Sequence, residues 1–255
     1  MTGLNRVSAL RVSLALRRGS SLPVVVETTS GRFATKLRGA AQGVSALIAE
    51  VIVAELAELA NLPVPERAIV ELEPGVASDD QNDELLDLLA RSAGENLGFR
   101  WLTGARDLAG KELDGVSDTF AATLLWLDGL TMNHDRTPQN PNLLSWHGQP
   151  WLIDHGATLS FQYDWAAISE DSPREPTDFS NHVFVSRLAA LEQVDASLTA
   201  AFDRGALEQA IGVVPESWLR AAFPSEDPRR VRASYQAFLW KRLKPPRPFV
   251  RGIHG

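Results

Sequence analysis

Three oxygen-bearing side chains within one short stretch have the types and the order that moving a phosphoryl group calls for. In NHDRTPQNPNLLSWHGQPWLIDHG, residues 133–156, Asp135 and Asn140 are separated by four residues in a proline-containing loop. Asp154 follows the apolar run Trp151, Leu152, Ile153 and precedes His155 and Gly156. Phosphoryl transfer needs charge neutralisation and alignment more than covalent chemistry. Asp135 would accept or orient the proton of an acceptor hydroxyl. Asn140 and Asp154 would hold Mg2+, a hard ion suited to oxygen ligands. Arg136 would bind phosphate or pin the loop, and Gly156 would let the backbone turn sharply after the metal ligand. His134, Asn142 and His155 read as supporting structure.

Such a site also needs a cation on the nucleotide phosphates, and the elements upstream offer one. Residues 23–28 (PVVVET) are β-branched, TSGR is a short turn, and residues 33–37 form a second strand with Lys36 near its end. Lys36 would contact the α- and β-phosphates of ATP. Residues 44–61 then form a helix stopped by Pro63 and Pro65. It is apolar nearly all round, so it should be buried. A buried carboxylate needs a partner, and Glu50 would orient Lys36, with Glu55 as the runner-up. Residues 6–16, 66–73 and 96–101 read as further strands, 83–92 as a short amphipathic helix and 102–108 as a connector. Ser117 or Asp118 caps a helix reaching about Met132, which delivers the chain to the opening stretch. Within that stretch, residues 142–145 and 151–153 form a hairpin. Residues 169–181 (SEDSPREPTDFSN) are a polar loop that would carry substrate contacts, a phosphorylation site or only a surface connection. Helices are expected over 185–195, 196–211, 215–222 and 228–243.

Composition excludes several classes. With 44% hydrophobic and 22% charged residues among 255, the chain can bury a sizeable core, so disorder is not the default. It has no cysteine, which removes disulfides, thiolate zinc sites and cysteine nucleophiles together. No apolar run approaches a membrane span and the N-terminus lacks a signal-peptide core, so the expectation is a soluble, cytoplasmic protein. Residues 228–255 carry eight basic side chains and no acid, whereas the preceding residues hold 17 basic against 32 acidic, a net of −15. The tail reads first as a solvated helix face with a flexible end, and second as a site for an acidic partner. No nucleic-acid motif accompanies it.

Four phrases in order, FATKLRGAAQG, ALIAEVIVAELAELANLPVPE, NHDRTPQNPNLL and WLIDHGATLSF, resemble the HipA-like kinases of bacteria, which have a protein-kinase-like fold. The resemblance covers most of residues 25–165. It implies an α+β, bilobal architecture: a small β-rich N-lobe over 1–105 with one long helix, and a mainly helical C-lobe over 106–255 with a basic tail from about 228. It implies nucleotide in the cleft and an ATP- and magnesium-dependent transfer to a Ser/Thr hydroxyl of a protein or peptide, with a small-molecule acceptor also fitting. Two features depart from the pattern: no GxGxxG loop precedes Lys36, and His155 stands where a phenylalanine is usual. Two other readings compete. One is a nucleotide-binding pseudokinase or interaction module. The other is a metal-dependent phosphohydrolase built on His134, Asp135, His147, Asp154 and His155, which lacks an upstream histidine.

Overall fold

The computed structural model describes residues 3–16 and 22–251. Its first part is a closed barrel. Strand β1 (Asn5–Ala15) pairs antiparallel with β2 (Val24–Thr28), which pairs antiparallel with β3 (Gly31–Lys36). After helix α1 (Gly43–Leu59) come β4 (Arg67–Leu72), the short β5 (Ala77–Ser78), helix α2 (Asp83–Arg91) and β6 (Gly94–Arg100). β6 lies antiparallel between β3 and β4, and β4 returns parallel to β1 at Asn5–Ser8. Five strands thus close on one another, and β5 pairs parallel with β1 at Arg11 and Val12. Closure leaves none of the five as an open edge. Val7 and Val12 both face the barrel core although an odd spacing puts them on opposite faces of a regular strand. The register shift between Ala9 and Arg11, which falls between them, makes this geometry available.

Helix α1 is buried on nearly every side, as its sequence requires, and packs against later helices as well as the barrel. It ends where Asn61 adopts φ +59°, with Asn61 N donating to Glu58 O and Leu62 N to Ala57 O. This left-handed cap precedes the two prolines and stops the helix.

The chain then passes through β7 (Arg106–Asp107) and a 3₁₀ turn at Gly110–Gly115 into helix α3 (Asp118–Thr131), capped by Ser117 through Phe120 N. Strands β8 (Leu143–Trp146) and β9 (Gln149–Leu152) join β7 in a small sheet. The hairpin turn is only His147 and Gly148, both at positive φ, the arrangement a two-residue connection prefers. Helices α4 (Leu191–Ala201), α5 (Arg204–Gly212), α6 (Glu216–Ala222), α7 (Pro228–Leu243) and α8 (Pro248–Arg251) complete the chain. Strands therefore precede helices, in a mixed α+β fold.

Three expectations about this region change. Residues 185–190 are 3₁₀ rather than α-helical, and α4 starts only at Leu191. The single helix expected over 196–211 is broken, because Asp203 accepts from Ala206 N at 2.7 Å and starts a new helix. The tail is not one solvated face. Arg242 is fully buried and donates to the carbonyls of Gly129, Leu130, Pro173 and Glu175 and to Thr177 Oγ1, while Arg247 pairs with Asp195. Residues 252–255, with the last of the tail, lie outside the described residues, as do Arg17 and Arg18. Of the N-terminal arginines, Arg6 pairs with Glu71 and Glu95, and Arg11 with Glu27 and Asp79. No helix among the described residues is long and apolar enough to cross a membrane.

Candidate active site

Lys36, Glu50 and Asp154 converge from the end of β3, the middle of α1 and the turn after β9. Lys36 Nζ donates to Glu50 Oε1 and, at 2.5 Å, to Asp154 Oδ1. Glu50 is wholly buried, and its other oxygen accepts the backbone N–H of His155 at 2.9 Å. Burial by itself would lower the Lys36 pKa, but the two carboxylates overrule it and raise it. Burial also pushes the Glu50 carboxyl up, against the pull of Lys36, whereas Lys36 overcomes the burial of Asp154 and holds that carboxyl low. Asp154 keeps 42% of its side-chain surface exposed, so an ionised carboxylate faces outward from this cluster.

The runner-up for Lys36 is otherwise engaged. Glu55 pairs with Arg67, as does Glu58. Gly156 is needed for a different reason than a sharp turn. The left-handed residue is Asp154, at φ +59°, and a Cβ on Gly156 would stand 3.1 Å from Glu50 Oε1.

Asp135 and Asn140 form a second cluster. Asp135 Oδ2 accepts from Asn140 Nδ2 at 3.0 Å and from Asn142 Nδ2 at 3.1 Å, and Asp135 N donates to Asn133 Oδ1 at 3.0 Å. Asn140 has given its amide nitrogen to Asp135, so its acceptor oxygen is the atom left for a metal. Arg136 pins the loop: Nε donates to Asp128 Oδ2 at 2.6 Å, and Nη1 to the carbonyls of Pro141 and Asn142.

The anchor of this loop, Asp128 on α3, was not among the residues expected from the sequence. It is fully buried and also accepts from Asn133 Nδ2 at 2.8 Å and from His182 Nε2 at 2.9 Å. Phe184 N donates to His182 Nδ1, which leaves the ring proton on Nε2. Although burial raises it, the Asp128 carboxyl is held down at about 2 by Arg136 and His182. The signal was present, since Asp128 is the lone acid within AATLLWLDGLT, the argument already applied to Glu50. Nothing local marks His182.

Between the clusters His155 is wholly buried, and burial together with nearby Arg136 lowers its pKa to about 3, so the ring is neutral at pH 7. Five non-glycine residues with positive φ, Met132, Asn142, His147, Asp154 and Leu159, fall in this one segment. Left-handed backbone costs energy and gathers where side chains must be aimed. The turn before β3 is short, with Gly31 at φ +100° and Arg100 donating to Ser30 O. Among the described residues, no three His, Asp or Glu side chains come together as a metal-holding group.

A family model described as HipA-like kinase matches residues 15–236. Among solved structures, that of a proinflammatory kinase of Helicobacter pylori, CtkA, is similar with a TM-score of 0.47 and 10% identity, covering 94% of this chain and 92% of that one. No curated protein matches.

Proposed function

The chain belongs to the HipA-like kinase family, and from that premise we propose that it transfers the γ-phosphoryl group of ATP, with magnesium, to a Ser or Thr hydroxyl of a protein or peptide. In this reading residues 1–105 and 106–255 are two lobes, and the nucleotide lies between them. The observation that carries it is Lys36 bonded at once to Glu50 and Asp154. A lysine held by a buried carboxylate is kept charged and aimed, which suits it to phosphate oxygens.

Each remaining group has work in the same chemistry. Asp154 and the Oδ1 of Asn140 are hard oxygen donors of the type magnesium takes. Bound there, magnesium would neutralise charge on the nucleotide phosphates. Asp135, oriented by Asn140 and Asn142, orients the acceptor hydroxyl and takes its proton as the oxygen–phosphorus bond forms and the bond to ADP breaks.

Incubation with labelled ATP and magnesium, with and without cell extract, tests this. Label should appear on protein. Asp135→Ala should lower transfer by roughly 10²-fold or more and spare nucleotide affinity, while Asp154→Ala should abolish magnesium-dependent nucleotide binding. Binding without transfer to any acceptor, the chain itself included, would favour the pseudokinase reading, and label on a metabolite would move the acceptor to a small molecule.

A further inference from the structure

A groove of about 440 Å³ opens between β5 and α2 and shares no residue with the clusters around Lys36 and Asp135. One wall is Gly75 to Ser78, the turn into β5 and the strand itself, with Gln81 below it; the other is Leu86, Leu89 and Ala90 of α2. The pattern of α2 explains why this space is apolar and yet open. Leu85, Leu88 and Leu89 point into the barrel core. Leu86 stands beside that stripe and is only half-buried, and Ala90, four residues on, is exposed on the same flank. Across from them Val76 is half-buried and Ala77 exposed. Small side chains at Gly75, Ala77, Ser78 and Ala90 leave the space between strand and helix unfilled. Apolar surface gathered in one place marks contact with another molecule.

The rim carries one sign of charge. Residues 71–90 hold seven acids and no base. Asp79 and Asp80 lie in the chain between the lining residues Ser78 and Gln81. Asp83 and Asp87 each stand three residues before a lining residue of α2, Leu86 and Ala90, so they share the groove's flank of the helix. Both are exposed and form no ion pair among the described residues. The helix N-terminus accounts for Asp83 and Glu84 in the first turn, but not for Asp87, a turn later. Of the others, Asp79 pairs with Arg11 at 3.4 Å, with both side chains half exposed.

We propose that this groove docks a segment of a partner protein that carries apolar side chains flanked by Lys or Arg. The apolar side chains fill the space between β5 and α2, and the cations meet the carboxylates at its rim. Lys and Arg suit such a border because their methylene stems cover apolar surface while their charged heads stay in water. An acidic segment is repelled by the rim, and a basic segment without apolar side chains leaves the groove wet. This recognition is independent of phosphotransfer and uses none of its residues.

Fluorescence anisotropy of labelled synthetic peptides with the full chain tests it. Three peptides of one length are compared: Leu and Val among Lys and Arg, the same with Glu for every base, and Lys and Arg among Ser. The first should bind about tenfold more tightly than either control, and its affinity should fall as salt rises. Asp87→Lys should weaken it about tenfold and reduce the salt dependence. Ala90→Trp, which fills the groove, should abolish binding. Both positions are exposed, and thermal unfolding verifies that each variant is folded. Equal binding of the three peptides, no binding of the first, or unchanged binding by the folded variants would overturn the docking site. Sedimentation of the chain alone addresses the other occupants. Self-association that Ala90→Trp abolishes would put a second copy in the groove, and peptide binding seen only after Arg17→Ser with Arg18→Ser would put the chain's own residues there. Either result would overturn the partner segment.

Discussion

Lys36 is where the charges of the site meet, and its replacement separates catalysis from stability. Removing it leaves Glu50 buried without its cation, and breaking a buried pair costs roughly 3–5 kcal/mol. The low end applies here, because Asp154 is partly exposed and was never wholly desolvated. Lys36→Met should therefore unfold at lower urea and lose ATP turnover. Adding Glu50→Gln keeps an acceptor for the His155 N–H but removes the stranded charge. The double variant should recover most of the stability and none of the turnover. Normal turnover in Lys36→Met would point to another cation, and unchanged stability would show that Glu50 does not need this partner.

At the scale of elements, α3 and the loop over residues 133–142 are joined through Asp128, which binds Asn133, Arg136 and His182 at once. Asp128→Asn leaves the Arg136 guanidinium buried with a neutral partner, and stability at pH 7 should fall by roughly 3–5 kcal/mol. The pH dependence has a definite sign. The folded pKa of about 2 lies below the ordinary 3.8, so the unfolded chain takes up the proton first as pH falls. The stabilisation is whole above about pH 5 and is lost progressively as pH falls toward 2. It amounts to about 2 kcal/mol. Denaturation of wild type and Asp128→Asn at pH 5 and pH 2 should show the gap closing by about that amount. A constant gap would mean that another group sets the acid limb. The same loop shows why its anchor was harder to read than its chemistry. Asp135 and Asn140 are neighbours in sequence, whereas Asp128 and His182 meet across 54 residues.

For the whole molecule, α1 is the shared element. It packs against Ile69, Leu97 and Phe99 of the barrel and also against α3, α5 and α6, so its apolar circumference is covered only when both parts of the chain are present. Glu95 on β6 adds a polar tie, accepting from Arg6 and from Ser217 on α6. A fragment of residues 1–105 would expose the outer face of α1 to water, and burial of apolar surface is the main force holding such an element. The full chain should unfold in a single calorimetric transition, and the fragment should show no cooperative transition. Two resolved transitions, or a fragment that folds on its own, would make the parts independent domains.

By itself the sequence determined the order of strands before helices, the burial of α1, and the pairing of a strand lysine with a glutamate on that helix. These are set locally: β-branched runs, an apolar circumference with one acid in it, Ser117 before a helix, and Asn61 with two prolines after one. Only the tertiary structure decided the closure of five strands through the β1–β4 and β1–β2 pairings, and the choice of Glu50 over Glu55, made when Arg67 engaged Glu55 and Glu58. It also drew Arg242 into the core to serve carbonyls from residues 129–175, and it placed Asp178 and Asn181 beside His134. The physical reason is common to all of these. A local rule says which group must find a partner when water is removed, and only the packed chain says which distant group is within reach.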